Sequence, residues 1–133
     1  MTNAAARLRV TWLATAWLLV AAVVYLSLTP RPVELPLEQG DKLGHLLAYG
    51  TTMFWFAQAY EGRRRIAVVL GLVALGVGIE FVQRWTGYRD FDVFDMVADA
   101  LGVVIGLALA PPRLPNLLVL IDRMLRRHPV RRS

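Results

Sequence analysis

Residues 66–85 read IAVVLGLVALGVGIEFVQRW, a run of twenty residues whose only charges, Glu80 and Arg84, fall in its last two turns. A bilayer core needs about 20 largely apolar residues per helix, so this block predicts a membrane-spanning helix. Three similar blocks flank it: Val10–Leu28 (VTWLATAWLLVAAVVYLSL), Leu43–Tyr60 (LGHLLAYGTTMFWFAQAY) and Val93–Ala110 (VFDMVADALGVVIGLALA). With 133 residues, 56% of them hydrophobic, the chain is one domain whose apolar content a soluble protein of this size could not hide.

The punctuation between blocks agrees. Arg7 and Arg9 precede the first block as in a signal peptide, but the block is too long and no small-x-small cleavage site follows, so it reads as an uncleaved anchor. Pro30, Pro32 and Pro36 then forbid helix. EGRRR (Glu61–Arg65) and TGYRDFD (Thr86–Asp92) are short turns, and Pro111 and Pro112 end the fourth block. Beyond them, Leu117, Ile121, Met124 and Leu125 share one helical face and Arg123, Arg126 and Arg127 lie away from it. That segment reads either as a basic amphipathic helix on anionic lipid or as a partly disordered tail. The expected fold is all-α. A four-helix transmembrane bundle occupies residues 1–112, with spans at about 10–28, 43–60, 66–85 and 93–110. A basic cytoplasmic tail, 113–133, carries the interfacial helix.

Charge orients the bundle. Four spans put both termini on one side, with Arg7, Arg9, Arg63, Arg64, Arg65, Arg113, Arg123, Arg126, Arg127, Arg131 and Arg132, eleven of the fifteen basic residues. Arg31, Lys42, Arg84 and Arg89 fall on the other. The positive-inside rule therefore places both termini in the cytoplasm. The net charge of +5 follows from topology, not from nucleic-acid binding. Acidic residues run the opposite way. Glu34, Glu38, Asp41, Glu80, Asp90, Asp92, Asp95 and Asp99 gather at the outer side, eight carboxylates against four cations, a net of −4.

These carboxylates sit on helix faces. Asp41, His45 and Tyr49 are spaced i, i+4, i+8; Asp92, Asp95 and Asp99 are spaced i, i+3, i+7; Glu80, Gln83 and Arg84 occupy the last turns of the third block. A carboxylate at a helix centre costs about 2.5–3.5 kcal/mol on insertion scales. Asp99 lies roughly 9 Å below its helix start, at about 1.5 Å per residue. Such groups should face protein, water or a cation. Below them Ala98, Gly102 and Gly106 form a small-residue stripe for helix packing, and Gly71, Ala74 and Gly78 supply another. Trp12, Trp17, Trp55 and Trp85 read as bilayer and interface anchors.

Taken in order, SLTP after the first block, DKLGHLLAY opening the second, Glu80-x-x-Gln83 ending the third, and Arg89, Asp92, Asp95, Asp99 and Gly102 on the fourth resemble the VanZ-like family over residues 27–106. Asp99 departs from the family pattern, which has Asn there as often as Asp. The resemblance implies a multi-pass protein of the bacterial cytoplasmic membrane and cell envelope. The family's namesake confers a degree of teicoplanin resistance.

Three readings of the polar cluster stand open. It is a binding site for a cell-wall or lipid-linked ligand, centred on His45, Glu80, Asp95 and Asp99 and rimmed by Asp41, Lys42, Tyr49, Gln83, Arg84, Arg89 and Asp92. A divalent cation (Ca²⁺, Mg²⁺ or Mn²⁺) suits its oxygen donors. A transport role would require a homo-oligomer of so small a bundle. Alternatively it is a hydrolase or transferase site on a phosphate- or acyl-bearing lipid, with catalytic candidates His45, Glu80, Asp95 and Asp99, and with Lys42, Arg84 and Arg89 on the phosphate. No cysteine, G-x-S-x-G or P-loop is present, so such an enzyme would have to activate water. In the third reading the charges form a structural ion-pair network.

Overall fold

The structure, a computed structural model, describes residues 3–30, 40–87 and 91–127. Among these residues it is all-helical: α1 (Asn3–Leu28), α2 (Gly40–Ala59), α3 (Gly62–Thr86), α4 (Val93–Leu109) and α5 (Leu117–Arg127). Helix α1 begins upstream of its apolar block, because the alanines and arginines of residues 4–9 are strong helix formers and no breaker intervenes. Gly87 ends α3 in the left-handed conformation, φ 75°, which glycine adopts without a Cβ clash. Asp92 caps α4, its carboxylate accepting from the Phe94 N–H at 2.8 Å.

The four long helices alternate in direction, so α2 and α4 run parallel. They make the most extensive contact in the molecule. Small residues allow it. Ala98, Gly102 and Gly106 are buried on α4. A Cβ at Gly50 would lie 3.1 Å from the Gly102 carbonyl oxygen, and Cβ atoms at Gly102 and Gly106 would run into the carbonyl oxygens of Leu46 and Gly50. The second small-residue stripe behaves differently. Added Cβ atoms at Gly71 and Gly78 meet open space, and Ala74 is exposed. On α3 the glycine that packs is Gly76, directly beneath Asp99.

Two further clamps close the far end of the bundle. Trp12 of α1 and Trp55 of α2 exchange hydrogen bonds, each indole N–H donating to the other's backbone carbonyl at 2.9 and 3.1 Å. Their rings stack at 4.1 Å. These two tryptophans therefore lock helices together rather than anchor in the bilayer, whereas Trp17 and Trp85 are exposed. Arg65 donates to the carbonyls of Tyr60, Pro111 and Ala57 at 3.0, 2.7 and 2.8 Å, tying the end of α2 to the end of α4. Helix α5 hangs beneath α1 and α2. Buried Gln58 accepts from the Leu117 N–H at 2.9 Å, and the Asn116 amide donates to the Gln58 carbonyl at 3.0 Å.

The polarity of the bundle is inverted relative to a soluble protein. Glu80, Asp95 and Asp99 are 0%, 5% and 2% exposed, while Phe94, Val104 and Leu70 are 70%, 59% and 65% exposed. Two helices, α1 and α3, are long and apolar enough to cross a membrane on length and composition. Helix α2 carries more polar residues, and α4 has 17 residues.

The α2–α4 contact should tolerate no side chain. Gly102→Val should destabilise the protein by about 1–3 kcal/mol or more, the usual cost of overpacking. Gly78→Ala should be neutral or stabilising by up to about 1 kcal/mol. Melting of both variants in detergent checks the contrast, and equal effects would refute the close-packing account.

Candidate functional site

Parallel pairing of α2 and α4 brings their first turns side by side at one end of the bundle, with the last turns of α3 beside them. Lys42 is the hub. Its ammonium lies 2.8 Å from Asp92 Oδ2, 3.1 Å from Asp41 Oδ2 and 3.3 Å from Asp95 Oδ1. One turn deeper, His45 Nδ1 lies 2.9 Å from Asp99 Oδ1 and Nε2 lies 3.6 Å from Asp95 Oδ2. A carboxylate thus faces each ring nitrogen. The other Asp99 oxygen rests against Gly76, where a Cβ would lie 2.6 Å from it. Glu80 comes in from α3 and its Oε2 accepts from the Asp92 backbone N–H at 3.0 Å. Four carboxylates, Asp41, Asp92, Asp95 and Asp99, converge on one lysine and one histidine, and Glu80 joins them through the Asp92 N–H.

The rim shows how the pairing works. The Lys42 ammonium, followed by the Phe94 N–H, holds the Asp92 carboxyl below the usual range. The Lys42 backbone N–H and ammonium do the same for Asp41. Reciprocally, Asp92 and then Asp41 push Lys42 well above the ordinary lysine range.

Two buried polar atoms have no hydrogen-bond partner among the described residues: the Tyr49 hydroxyl and Glu80 Oε1. Buried polar groups are normally paired, and Tyr49 lies within electrostatic range of both Asp99 and Glu80. These are the open valences of the cluster. Among the described residues no group of three or more His, Cys, Asp or Glu is arranged to hold a metal ion. Where Asp41, Asp92 and Asp95 converge, the position a cation would take is held by the Lys42 ammonium.

Other candidates lie elsewhere. Gln83 is buried but turns toward α1, donating to the Ser27 carbonyl at 2.8 Å. Arg84 is exposed, with its guanidinium 5.7 Å from the centre of the Phe91 ring. Arg89 lies outside the described residues. Of the three phosphate candidates, Lys42 is paired with carboxylates and Arg84 faces the Phe91 ring. Sequence reasoning passed over Gly76, which makes room for Asp99, and the signal for it was only one glycine among several on α3.

A family model described as VanZ/LLP1 matches residues 5–118. The chain belongs to the VanZ/LLP1 family. It is also 36% identical over 89 residues to an uncharacterized protein of Schizosaccharomyces pombe, covering 64% of this chain and 53% of the relative. The chain thus spans about half the length of that relative. No solved structure matches it. Membership in the VanZ/LLP1 family covers α1 through the start of α5, and so includes every described residue of the cluster.

Lys42 sets the expected pH response. Asp41 and Asp92 have depressed folded pKa values, so their contribution is present above the unfolded carboxylate pKa near 3.9 and is lost as pH falls through the folded values. Lys42 has a raised value, so its contribution holds until pH rises past the unfolded lysine pKa near 10.4. Lys42→Met should melt below wild type between about pH 5 and pH 10, and the gap should close on acidification. A gap of constant size down to pH 2 would show that Lys42 does not act through these carboxylates.

Proposed function

We propose that this VanZ/LLP1 protein is a multi-pass membrane protein whose four long helices cross the bilayer at about 10–28, 43–60, 66–85 and 93–110. Both termini face the cytoplasm, and the polar cluster opens outward as a binding site for a lipid-linked ligand. The inverted polarity of the bundle supports spanning by α2 and α4 as well as α1 and α3, because the carboxylates and small residues of α4 face inward and its apolar residues face outward. Helix α5 lies along the cytoplasmic surface with Leu117, Ile121, Met124 and Leu125 toward the acyl chains and its arginines toward anionic head groups.

One observation carries the binding reading. Glu80, Asp95 and Asp99 are almost fully buried, yet the described cations that meet the cluster are Lys42 and His45, and Glu80 Oε1 and the Tyr49 hydroxyl are left open. A surplus of buried carboxylates prefers a cation, protons, water or a ligand that donates hydrogen bonds, and the last of these is the reading taken here. The ligand head therefore presents sugar hydroxyls or an ammonium to the carboxylates, as a lipid-linked cell-wall intermediate does. An effect on glycopeptide susceptibility would follow where the ligand is a wall intermediate.

A structural network is the competing reading, favoured by the three carboxylates already gathered on Lys42. In the hydrolase or transferase reading, Asp99 orients His45 through Nδ1 at 2.9 Å, and Nε2, 3.6 Å from Asp95, is the nitrogen that would act on water. The readings separate in a melting experiment on the full-length protein in detergent. Probes are an amine-headed lipid, a lipid-linked sugar, an undecaprenyl-type phosphate and divalent cations. A ligand present at 100 times its Kd stabilises by about 2.7 kcal/mol. The amine or sugar probe should raise the melting point, the phosphate alone should not, and Glu80→Gln should abolish the rise. If no probe raises it while Glu80→Gln and Asp95→Asn alone lower it sharply, the cluster only holds helices together.

A further inference from the structure

At the other end of the bundle an apolar cleft of about 510 Å³ opens between α1, α2 and α3. That is within the roughly 300–1,000 Å³ typical of ligand sites. Trp17 and Phe56 form its walls, and Gly71 and Leu75 lie deeper along α3. From Arg64 to Leu75 the helix advances eleven residues, roughly 16 Å at about 1.5 Å per residue. That is half of a hydrocarbon core about 30 Å thick, the depth of one leaflet.

The mouth has the opposite chemistry. Arg64 lines it beside Tyr60, and Arg9 lies over the Tyr60 ring at 6.0 Å. Among the described residues neither arginine pairs with a carboxylate, whereas neighbouring Arg65 is fully engaged with three backbone carbonyls. Two guanidinium groups at the end of a cleft one leaflet deep are complementary to a phosphodiester joined to an acyl chain. Gly71 keeps the floor open, since a Cβ there would touch nothing within 4 Å.

We infer that this cleft holds one acyl chain of an anionic phospholipid of the cytoplasmic leaflet, with its phosphate between Arg64 and Arg9. The inference rests on the membrane-spanning reading above, and is independent of the outer cluster. The test uses full-length protein reconstituted in vesicles of phosphatidylglycerol and phosphatidylcholine in equal amounts, followed by native mass spectrometry. Wild type should retain one phosphatidylglycerol per chain, favoured over phosphatidylcholine by about tenfold, because the choline ammonium offsets the phosphate charge that the two guanidinium groups meet. Arg64→Gln should remove the preference. Gly71→Phe should fill the cleft and remove the adduct, with unchanged helix content and melting point in detergent. Equal retention of both lipids by all three proteins overturns the inference, as does a dimer that Gly71→Phe dissociates. Flotation of the same vesicles after alkaline washing separates the two levels. Protein that does not float overturns the spanning reading with the cleft; protein that floats without lipid preference overturns the cleft alone.

Discussion

The near contact of two backbones, α2 and α4 at Gly50, Gly102 and Gly106, governs the rest of this structure. Helices in a bilayer gain little from hydrophobic exclusion and associate through close packing and polar contacts. Removing the side chains at three positions lets α2 and α4 approach until a carbonyl of one meets the glycine of the other. Because the pair is parallel, α3 must cross back between them in sequence, and the first turns of both helices arrive at the same depth. The Lys42 hub and the His45 clamp follow from that register. A one-residue rotation of α4 would carry Asp95 and Asp99 about 100° around the helix, toward the apolar exterior.

Much of this was legible in the sequence. The blocks mark the helices, the Ala98, Gly102 and Gly106 stripe marks the packed face of α4, and the spacing of Asp92, Asp95 and Asp99 marks one buried face. What the sequence did not reveal depends on which helix meets which. Lys42 reads as a rim cation for a phosphate, and becomes the centre of three carboxylates only when α2 and α4 are set parallel. Gly71, Ala74 and Gly78 have the same residue types as a packing stripe, but α3 presents Gly76 instead, since Asp99 needs the space. Trp12 and Trp55 look like interface anchors until the antiparallel α1–α2 pair places each indole against the other's carbonyl. Gln83 looks like a member of the acidic site and serves as a link to α1.

The two ends of the bundle solve different problems. At the Lys42 end, costly charges are buried and need mutual satisfaction, so the helices bring several ligands to each cation. At the Arg65 end, the exposed carbonyls of α2 and of the turn after α4 need donors, and a single guanidinium supplies three. Arg63 and Arg64 on the same turn are left exposed. The basic first turn of α3 therefore does two jobs, closing the bundle through one arginine and presenting charge through its neighbours.

The acidic cluster carries more carboxylates than basic side chains among the described residues. Removing one partner of a buried ion pair leaves an uncompensated charge, which costs more than the pair returns. Here Glu80 is fully buried, uses one oxygen to accept from the Asp92 N–H and leaves the other open, and the buried Tyr49 hydroxyl is in the same condition. Replacing Glu80 with glutamine would keep the hydrogen bond to Asp92 and remove the charge. What the glutamine would lose is an ionisable group in a fully buried position, the costliest element of the cluster whether it binds or only braces.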